Sequence, residues 1–235
     1  MDRIEAWLAQ GRLQRLAEGR PRVSLCYAQS LDGSLTHRRG ESLALSGPDA
    51  RVLTHRLRAA HDAILVGIGT VLADDPLLTV REVQGPNPTP IILDSRLRLP
   101  LDCRLLQRWD QKPWVATTSQ GDSQQRLALA AAGARLLDCP QDDRGGVDLA
   151  ALLTQLAEAG VSSLMVEGGA RVITSFLAQG LADQAVITIA PCFIGGLPVV
   201  ESGAFAGRGF PRMPKMETMR LGEDIIAWGE LDFGR

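Results

Sequence analysis

"AHDAILVGIGTVLADDPLLTV", Ala60 to Val80, joins an apolar run to a Gly-x-Gly-Thr junction and then to two adjacent aspartates before a proline. The segment "AILVGIG" (63–69) is short, apolar throughout and shows no alternation, which is the pattern of a strand buried on both faces. Gly67 and Gly69 present bare backbone after it, and Thr70 adds a hydroxyl. Asp74 and Asp75 precede Pro76, which biases Asp75 towards extended or turn geometry. Alone, Asp-Asp-Pro reads as a solvated turn. Core strands do not need paired carboxylates, whereas binding sites often use them.

The flanking segments carry the same rhythm. Upstream, "VSLCYAQS" (23–30) reads as a strand leading into the loop "LDGSLTHRRGES" (31–42). The stretch "SGPDARVLTHRLRAAHD" (46–62) reads as a helix, with Ser46 as N-cap, Pro48 and Asp49 in the first turn, and a stripe of Ala50, Leu53, Leu57 and Ala60. Downstream, "PIILDS" (90–95), "PWVATTS" (113–119) and "ARLLDC" (134–139) read as strands, and "DSQQRLALAAAG" (122–133) as a helix. In "DLAALLTQLAEAG" (148–160), Leu149, Leu152, Leu153 and Leu156 recur at i, i+3, i+4 and i+7, and Gly160 ends the helix. The strand "SLMVEGG" (163–169), the helix "ARVITSFLAQG" (170–180) and the strand "AVITIAPCFIGG" (185–196) follow, then a hairpin within "METMRLGEDIIAWGELDF" (216–233).

Such strand–helix–strand units predict an α/β fold, a mainly parallel sheet covered on both faces with antiparallel C-terminal edge strands. Residues 1–20 predict an amphipathic helical arm carrying Ile4, Trp7, Leu8, Leu13 and Leu16, ended by Pro21; residues 21–235 predict a single domain. The arm fits a helix packed on its own domain better than a partner-facing one.

The 235 residues are 45% hydrophobic and 22% charged, the profile of a soluble globular chain. A formal net charge of −2 and 4% aromatics argue against nucleic acid or an anionic membrane as partner. Cys26, Cys103, Cys139 and Cys192 form no C-x-x-C pair, and with scattered His37, His55 and His61 they predict reduced cysteines and no metal site. The N-terminus carries acidic residues and no long apolar stretch, so a cytoplasmic location is expected.

In α/β sheets ligands gather at the carboxyl ends of parallel strands. In "MVEGGARVITSF" (165–176), Glu167 follows the strand, and Gly168 and Gly169 form a tight turn before a helix whose free N–H groups suit a phosphate. Glycine dihedrals alone would also explain the pair. Arg81 supplies a cation for an anionic substrate. "SLDG" (30–33) and "LDS" (93–95) end two other strands in the same manner.

Together, "SLDG", "LRAAHDAILVGIGTVLADDPLLTVR", "IILDSRLRLP", "VEGGARVITSFL" and "ITIAPCFIGG" resemble the pyrimidine reductase family of riboflavin biosynthesis from about Val23 to the C-terminus. The resemblance implies a dihydrofolate-reductase-like fold, a homodimer, and NADPH-dependent reduction of the ribosyl side chain of an aminopyrimidine 5′-phosphate to a ribityl chain. It places Gln29, Gly67, Gly69, Thr70, Asp74, Ser95, Gly168, Gly169, Ala170 and Arg171 at the cofactor. It places Ser42, Arg58, Leu78, Arg81 and Glu167 at the substrate, with Asp74 and Glu167 as catalytic carboxylates and no metal.

The carboxylates suit that chemistry, because C1′ becomes electron-poor before hydride adds to it. Arg58 and Arg81 would then hold the substrate phosphate. The H-x-E and P-C-x-x-C zinc signature of the bifunctional relatives is absent, so deamination is not expected of these residues. Cys26 and Ala44 replace a lysine and a tryptophan common there, as in stand-alone reductases, which leaves open whether the pyrimidine is the diamino or the deaminated form. Two other readings stay open: reduction of another small substrate such as a dihydropterin, and a non-catalytic nucleotide-binding module.

Overall fold

The computed structural model describes residues 3–8, 19–41, 43–207 and 209–234. Residues 3–8 are helical (α1), followed by β1 (Arg22–Ser30), β2 (Ser34–Thr36), α2 (Pro48–Ala59), β3 (Ala63–Gly67) and α3 (Ile68–Asp74). Then come β4 (Thr89–Leu93), α4 (Arg104–Gln107), β5 (Trp114–Thr117), α5 (Ser123–Ala131), β6 (Arg135–Asp138), α6 (Leu149–Glu158) and β7 (Ser163–Val166). The chain closes with α7 (Ala170–Gln179), β8 (Gln184–Ala190), β9 (Leu197–Pro198), β10 (Glu217–Leu221) and β11 (Asp224–Glu230).

The strands form one nine-stranded sheet, ordered β10-β11-β8-β1-β7-β3-β4-β5-β6, and a two-stranded β2–β9 pair. All pairings from β8 to β6 are parallel, while β11 runs antiparallel to β8 and β10 to β11. The expected mainly parallel sheet with antiparallel C-terminal edge strands is what forms.

Alternation along the strands sorts the core into two faces. Ala63, Leu65, Leu164 and Val166 pack with Leu152, Leu156, Ile173 and Phe176, so α6 and α7 cover one face. Ile64, Val66, Ile92 and Val115 pack with Val71 of α3, Leu105 of α4 and Leu129 of α5 on the other. On that second face Cys26, Met165, Val186 and Trp228 meet Leu53 and Leu57 of α2 and Ile4 and Leu8 of α1. The described part of the N-terminal segment therefore packs on the sheet; Leu13 and Leu16 lie outside the described residues.

Several local expectations change. The strand at Ala63 stops at Gly67, and Ile68 already begins a helix. Ser46 does not cap α2; Gly47 holds that position without a side-chain cap, and its N–H donates to Asp224 Oδ2 at 2.8 Å. The strand read over 185–196 ends at Ala190, before Pro191, and lies inside the sheet between β1 and β11. The loop at 31–42 contains β2, which pairs with β9.

The topology fixes where a ligand can enter. Strands β3 and β7 are neighbours, yet the helix after β3 covers one face and the helix after β7 the other. Chains that leave adjacent strand ends in opposite directions open a crevice between them.

Candidate functional site

That crevice is a cleft of about 720 Å³ above the carboxyl ends of the parallel strands. Gly67, Gly69, Thr70 and Asp74 line it from β3 and α3, and Glu167, Gly168, Gly169, Ala170 and Arg171 from β7 and α7. Ser95 closes one side beyond β4. Thr36, Arg39, Leu43 and Leu197, from the β2–β9 pair and the segment after β2, lean over the other.

The four glycines divide by cause. A Cβ on Gly168 would lie 2.5 Å from Val172 Cβ, and one on Gly67 2.9 Å from Val172 Cγ2, so both are glycine because α7 packs there. A Cβ on Gly69 would meet nothing within 4 Å, and one on Gly169 only Thr70 Oγ1 at 3.9 Å. Gly69 and Gly169 are thus the positions that leave bare backbone towards the cleft. Gly169 is the N-cap of α7 with no side-chain cap, and the N–H groups of Gly169, Ala170 and Arg171 find no protein acceptor among the described residues. An uncapped helix start beside open space suits a pyrophosphate.

Glu167 stands just behind this helix start. Its Oε1 accepts from Arg58 Nε at 2.8 Å and its Oε2 from Arg58 Nη2 at 2.7 Å. Arg58 Nη1 donates to the Thr79 carbonyl at 3.1 Å. Burial opposes the charge on Arg58, but the Glu167 carboxylate, by charge and hydrogen bonds together, outweighs it and raises the Arg58 pKa. Arg58 is therefore an anchor for Glu167 rather than the open fork expected for a phosphate.

The two aspartates separate. Asp75 adopts a left-handed conformation (φ 39°), and its Oδ1 accepts the Arg104 N–H at 2.9 Å, which ties α3 to α4. Asp74 is exposed, lines the cleft and has no hydrogen-bond partner among the described residues. Arg81 is exposed, donates to Thr79 Oγ1 at 2.9 Å and lies outside the cleft lining, while its backbone N–H donates to His55 Nδ1 at 3.1 Å. Leu78 is buried in the core beside Val71 and does not line the cleft. Gln29, half-buried on β1, does not line it either, and Ser42 falls outside the described residues.

Tyr27 escaped the sequence reading. It lines the cleft, its hydroxyl bonds no protein group among the described residues, and burial pushes its pKa up to about 12. It is a neutral phenol at neutral pH, able to donate to a ligand. It is the chain's only tyrosine and stands inside an otherwise largely apolar strand, so no local motif marks it. Cys26 beside it is buried, and burial with the nearby Glu167 charge suppresses its ionisation, so it serves as an apolar wall.

The residues present fit a nicotinamide dinucleotide: open glycines, unclaimed N–H groups at a helix start, and a long cleft with polar groups at both ends. The family model described as the RibD C-terminal domain matches residues 21–227. The riboflavin biosynthesis protein RibD of Aquifex aeolicus is 34% identical over 213 residues, 90% of this chain and 58% of that protein. The 2,5-diamino-6-ribosylamino-4(3H)-pyrimidinone 5′-phosphate reductase of Methanothermobacter thermautotrophicus is 37% identical over 223 residues, 88% of this chain and 96% of that protein. Among solved structures, the riboflavin biosynthesis reductase Rib7 of Saccharomyces cerevisiae superposes with a TM-score of 0.75 at 30% identity, covering 96% of this chain and 98% of that one. Acinetobacter baumannii RibD gives 0.79 at 29% identity, covering 97% and 62%. The chain spans little more than half the length of the RibD proteins it matches.

Proposed function

This chain belongs to the RibD C-terminal domain family, and from that membership and the cleft we propose that it is an NADPH-dependent reductase of riboflavin biosynthesis. Its substrate is a ribosylaminopyrimidine 5′-phosphate, whose ribosyl chain it reduces to the ribityl form. The observation that carries this reading is the Arg58-anchored Glu167 beside the uncapped start of α7. A fixed carboxylate for the pyrimidine thereby adjoins a backbone cradle for the cofactor phosphates.

The nicotinamide supplies the hydride; the chain's residues prepare the carbon that receives it. Opening the furanose breaks the C1′–O4′ bond and moves the glycosylamine N–H proton to O4′, which leaves a C1′=N bond; hydride addition at C1′ then calls for one proton, drawn from solvent, on that nitrogen. Glu167, with lone pairs left over from its Arg58 bonds, accepts hydrogen bonds from the pyrimidine's amino groups and steadies the positive charge that develops beside it. The unpaired Asp74 carboxylate at the cleft surface relays a proton. Tyr27, protonated across the working range, donates to an acceptor on the substrate. The cleft walls hold both reactants in register, so that the donor and acceptor carbons meet without further loss of freedom.

We extend the proposal to a cytoplasmic homodimer. Apolar Met216 and Ile225, left exposed at the β10–β11 edge, support self-association. No helix among the described residues is long and apolar enough to cross a membrane.

NADPH absorbance followed with the diamino and the deaminated ribosylaminopyrimidine phosphates tests the reading. Oxidation with one of them is the expected result and identifies the form used. Binding of NADPH without oxidation by either overturns it.

A further inference from the structure

The residues between α3 and β4 form no helix or strand, yet they hold Arg58 in place. The Thr79 carbonyl accepts from Arg58 Nη1 at 3.1 Å, and Arg58 in turn grips Glu167 through Nε and Nη2. The placement of Glu167 thus depends on where this connecting segment lies. Its backbone is strained: Leu78, immediately before Thr79, is buried and left-handed at φ 53°. Such a conformation in a branched residue persists only where the surroundings enforce it.

The restraints come from two sides. On the β4 side, the Val80 N–H donates to Asn87 Oδ1 at 2.7 Å, and Asn87 Nδ2 donates to Asp110 Oδ2 at 2.9 Å. That carboxylate is itself held by Arg108 Nη2 at 2.6 Å. On the α2 side, Gly85 approaches so closely that a Cβ there would lie 2.6 Å from Ala59 Cβ. A further tie to α2 is the Arg81 N–H, which donates to His55 Nδ1 at 3.1 Å. His55 is 5% exposed and sits one turn before Arg58. An imidazole nitrogen that accepts a hydrogen bond carries no proton, so this bond requires neutral His55 with its proton on Nε2.

We infer that His55 is a positioning residue for the reaction: neutral, it fixes the Thr79–Arg81 backbone and, through Arg58, the Glu167 carboxylate; protonated, it releases them. The inference rests on the proposed function for what Glu167 does once it is placed. The charges facing His55 are Arg58 on its own helix, Arg81 and Glu82 on the connecting segment, and Glu167 after β7. Arg51, one turn earlier on α2, lies 4.0 Å from Glu82. Burial, then the two guanidinium groups, outweigh the two carboxylates and hold the imidazole below its ordinary pKa. Protonation therefore sets a third cation beside Arg58 and Arg81 and removes the acceptor of the Arg81 N–H at the same time.

Two substitutions test this. His55→Asn puts an amide oxygen where Nδ1 stands and does not titrate, whereas His55→Leu removes the acceptor. In the wild type, kcat/KM for the pyrimidine is expected to fall below about pH 6.5 as His55 takes up its proton. The substrate phosphate titrates near about pH 6 as well, but equally for every variant, so the readout is the ratio of wild type to His55→Asn. That ratio should drop by about threefold or more between about pH 7.5 and about pH 5. His55→Leu is expected to lose about tenfold in kcat/KM at neutral pH, because the Arg81 N–H is left unpaired, with NADPH affinity within about twofold of the wild type. Independently of turnover, the Arg58 Nε–H, sheltered by Glu167, should give a slowly exchanging NMR signal in His55→Asn at both ends of that range. In the wild type the same signal should be slow at neutral pH and fast at about pH 5. A ratio that stays flat with pH, or a wild-type Arg58 signal indifferent to pH, overturns the inference even where His55→Leu fails to fold. If neither pyrimidine is reduced while the Arg58 signal follows His55, the proposed reaction fails and the positioning of Glu167 stands.

Discussion

Arg58 on α2 and Glu167 after β7, 109 residues apart in the chain, are joined by two hydrogen bonds of 2.8 and 2.7 Å with side chains only 12% and 15% exposed. Each ion is tolerable there because of the other. Removing one partner from a fully buried pair costs about 3–5 kcal/mol, so at this partial exposure we expect about 2 kcal/mol for Arg58→Met or Glu167→Gln alone. The double variant is expected to regain about half of the summed loss, because neither charge is then stranded. Urea unfolding of the four proteins measures this, and strictly additive losses would show that the pair is not coupled.

Val172 decides two of the four cleft glycines. Gly168→Ala places a methyl 2.5 Å from Val172 Cβ, too close for any relaxation short of moving α7, and is expected to cost about 1–3 kcal/mol. Val172→Ala in the same chain removes the Cγ contacts but keeps the Cβ at 2.5 Å, so it returns only a minor part of that loss. Gly169→Ala meets only Thr70 Oγ1 at 3.9 Å, so stability changes by less than about 1 kcal/mol while cofactor affinity drops. Thermal melts with and without NADPH separate the two behaviours.

The parallel sheet was readable because runs such as Ala63–Val66 and Leu164–Val166 are apolar throughout, and the helices between them show clean stripes. The cleft was readable where a motif is local, as in Glu167–Gly169. What stayed hidden depends on geometry that the sequence does not print. Val172 lies four residues from Gly168, but only the tight turn from β7 into α7 brings its side chain onto the glycine. Nothing near Arg58 says that its fork is occupied by Glu167. Helix α3 was missed because seven residues with a glycine in the first turn show no helical period, and β2 because three residues acquire strand geometry only through β9.

Asp32 holds the segment after β8 against the end of β1. Its Oδ1 accepts the Ile194 N–H at 3.0 Å, its Oδ2 the Gly195 N–H at 2.7 Å, and the hydroxyls of Ser30 and Ser34 donate to the same carboxylate. The Ser30 hydroxyl and the two backbone N–H groups hold its pKa well below the usual carboxylate range. A depressed carboxylate pKa contributes stability above the unfolded value, near about 3.9, and loses it as pH falls towards the folded pKa. Hydrogen exchange at Ile194 and Gly195 is therefore expected to lose protection below about pH 4 in the wild type. In Asp32→Asn protection is low at every pH. Equal protection in the variant at pH 7 would show that the backbone alone holds this segment.

Tyr27 offers a hydroxyl to the cleft without a protein partner among the described residues, and burial holds its pKa at about 12. Removing that hydroxyl should leave folding untouched, since no buried protein group loses a hydrogen bond. Tyr27→Phe is therefore expected to melt within about 0.5 kcal/mol of the wild type. A neutral hydrogen bond to substrate is worth about 0.5–1.5 kcal/mol, so kcat/KM for the pyrimidine should fall by roughly two- to tenfold. The phenol does not ionise between pH 6 and about pH 10, so the deficit should be constant across that range. A deficit that grows or vanishes with pH would assign the effect to a titrating neighbour. A loss of stability larger than about 1 kcal/mol would place the hydroxyl in a structural bond instead.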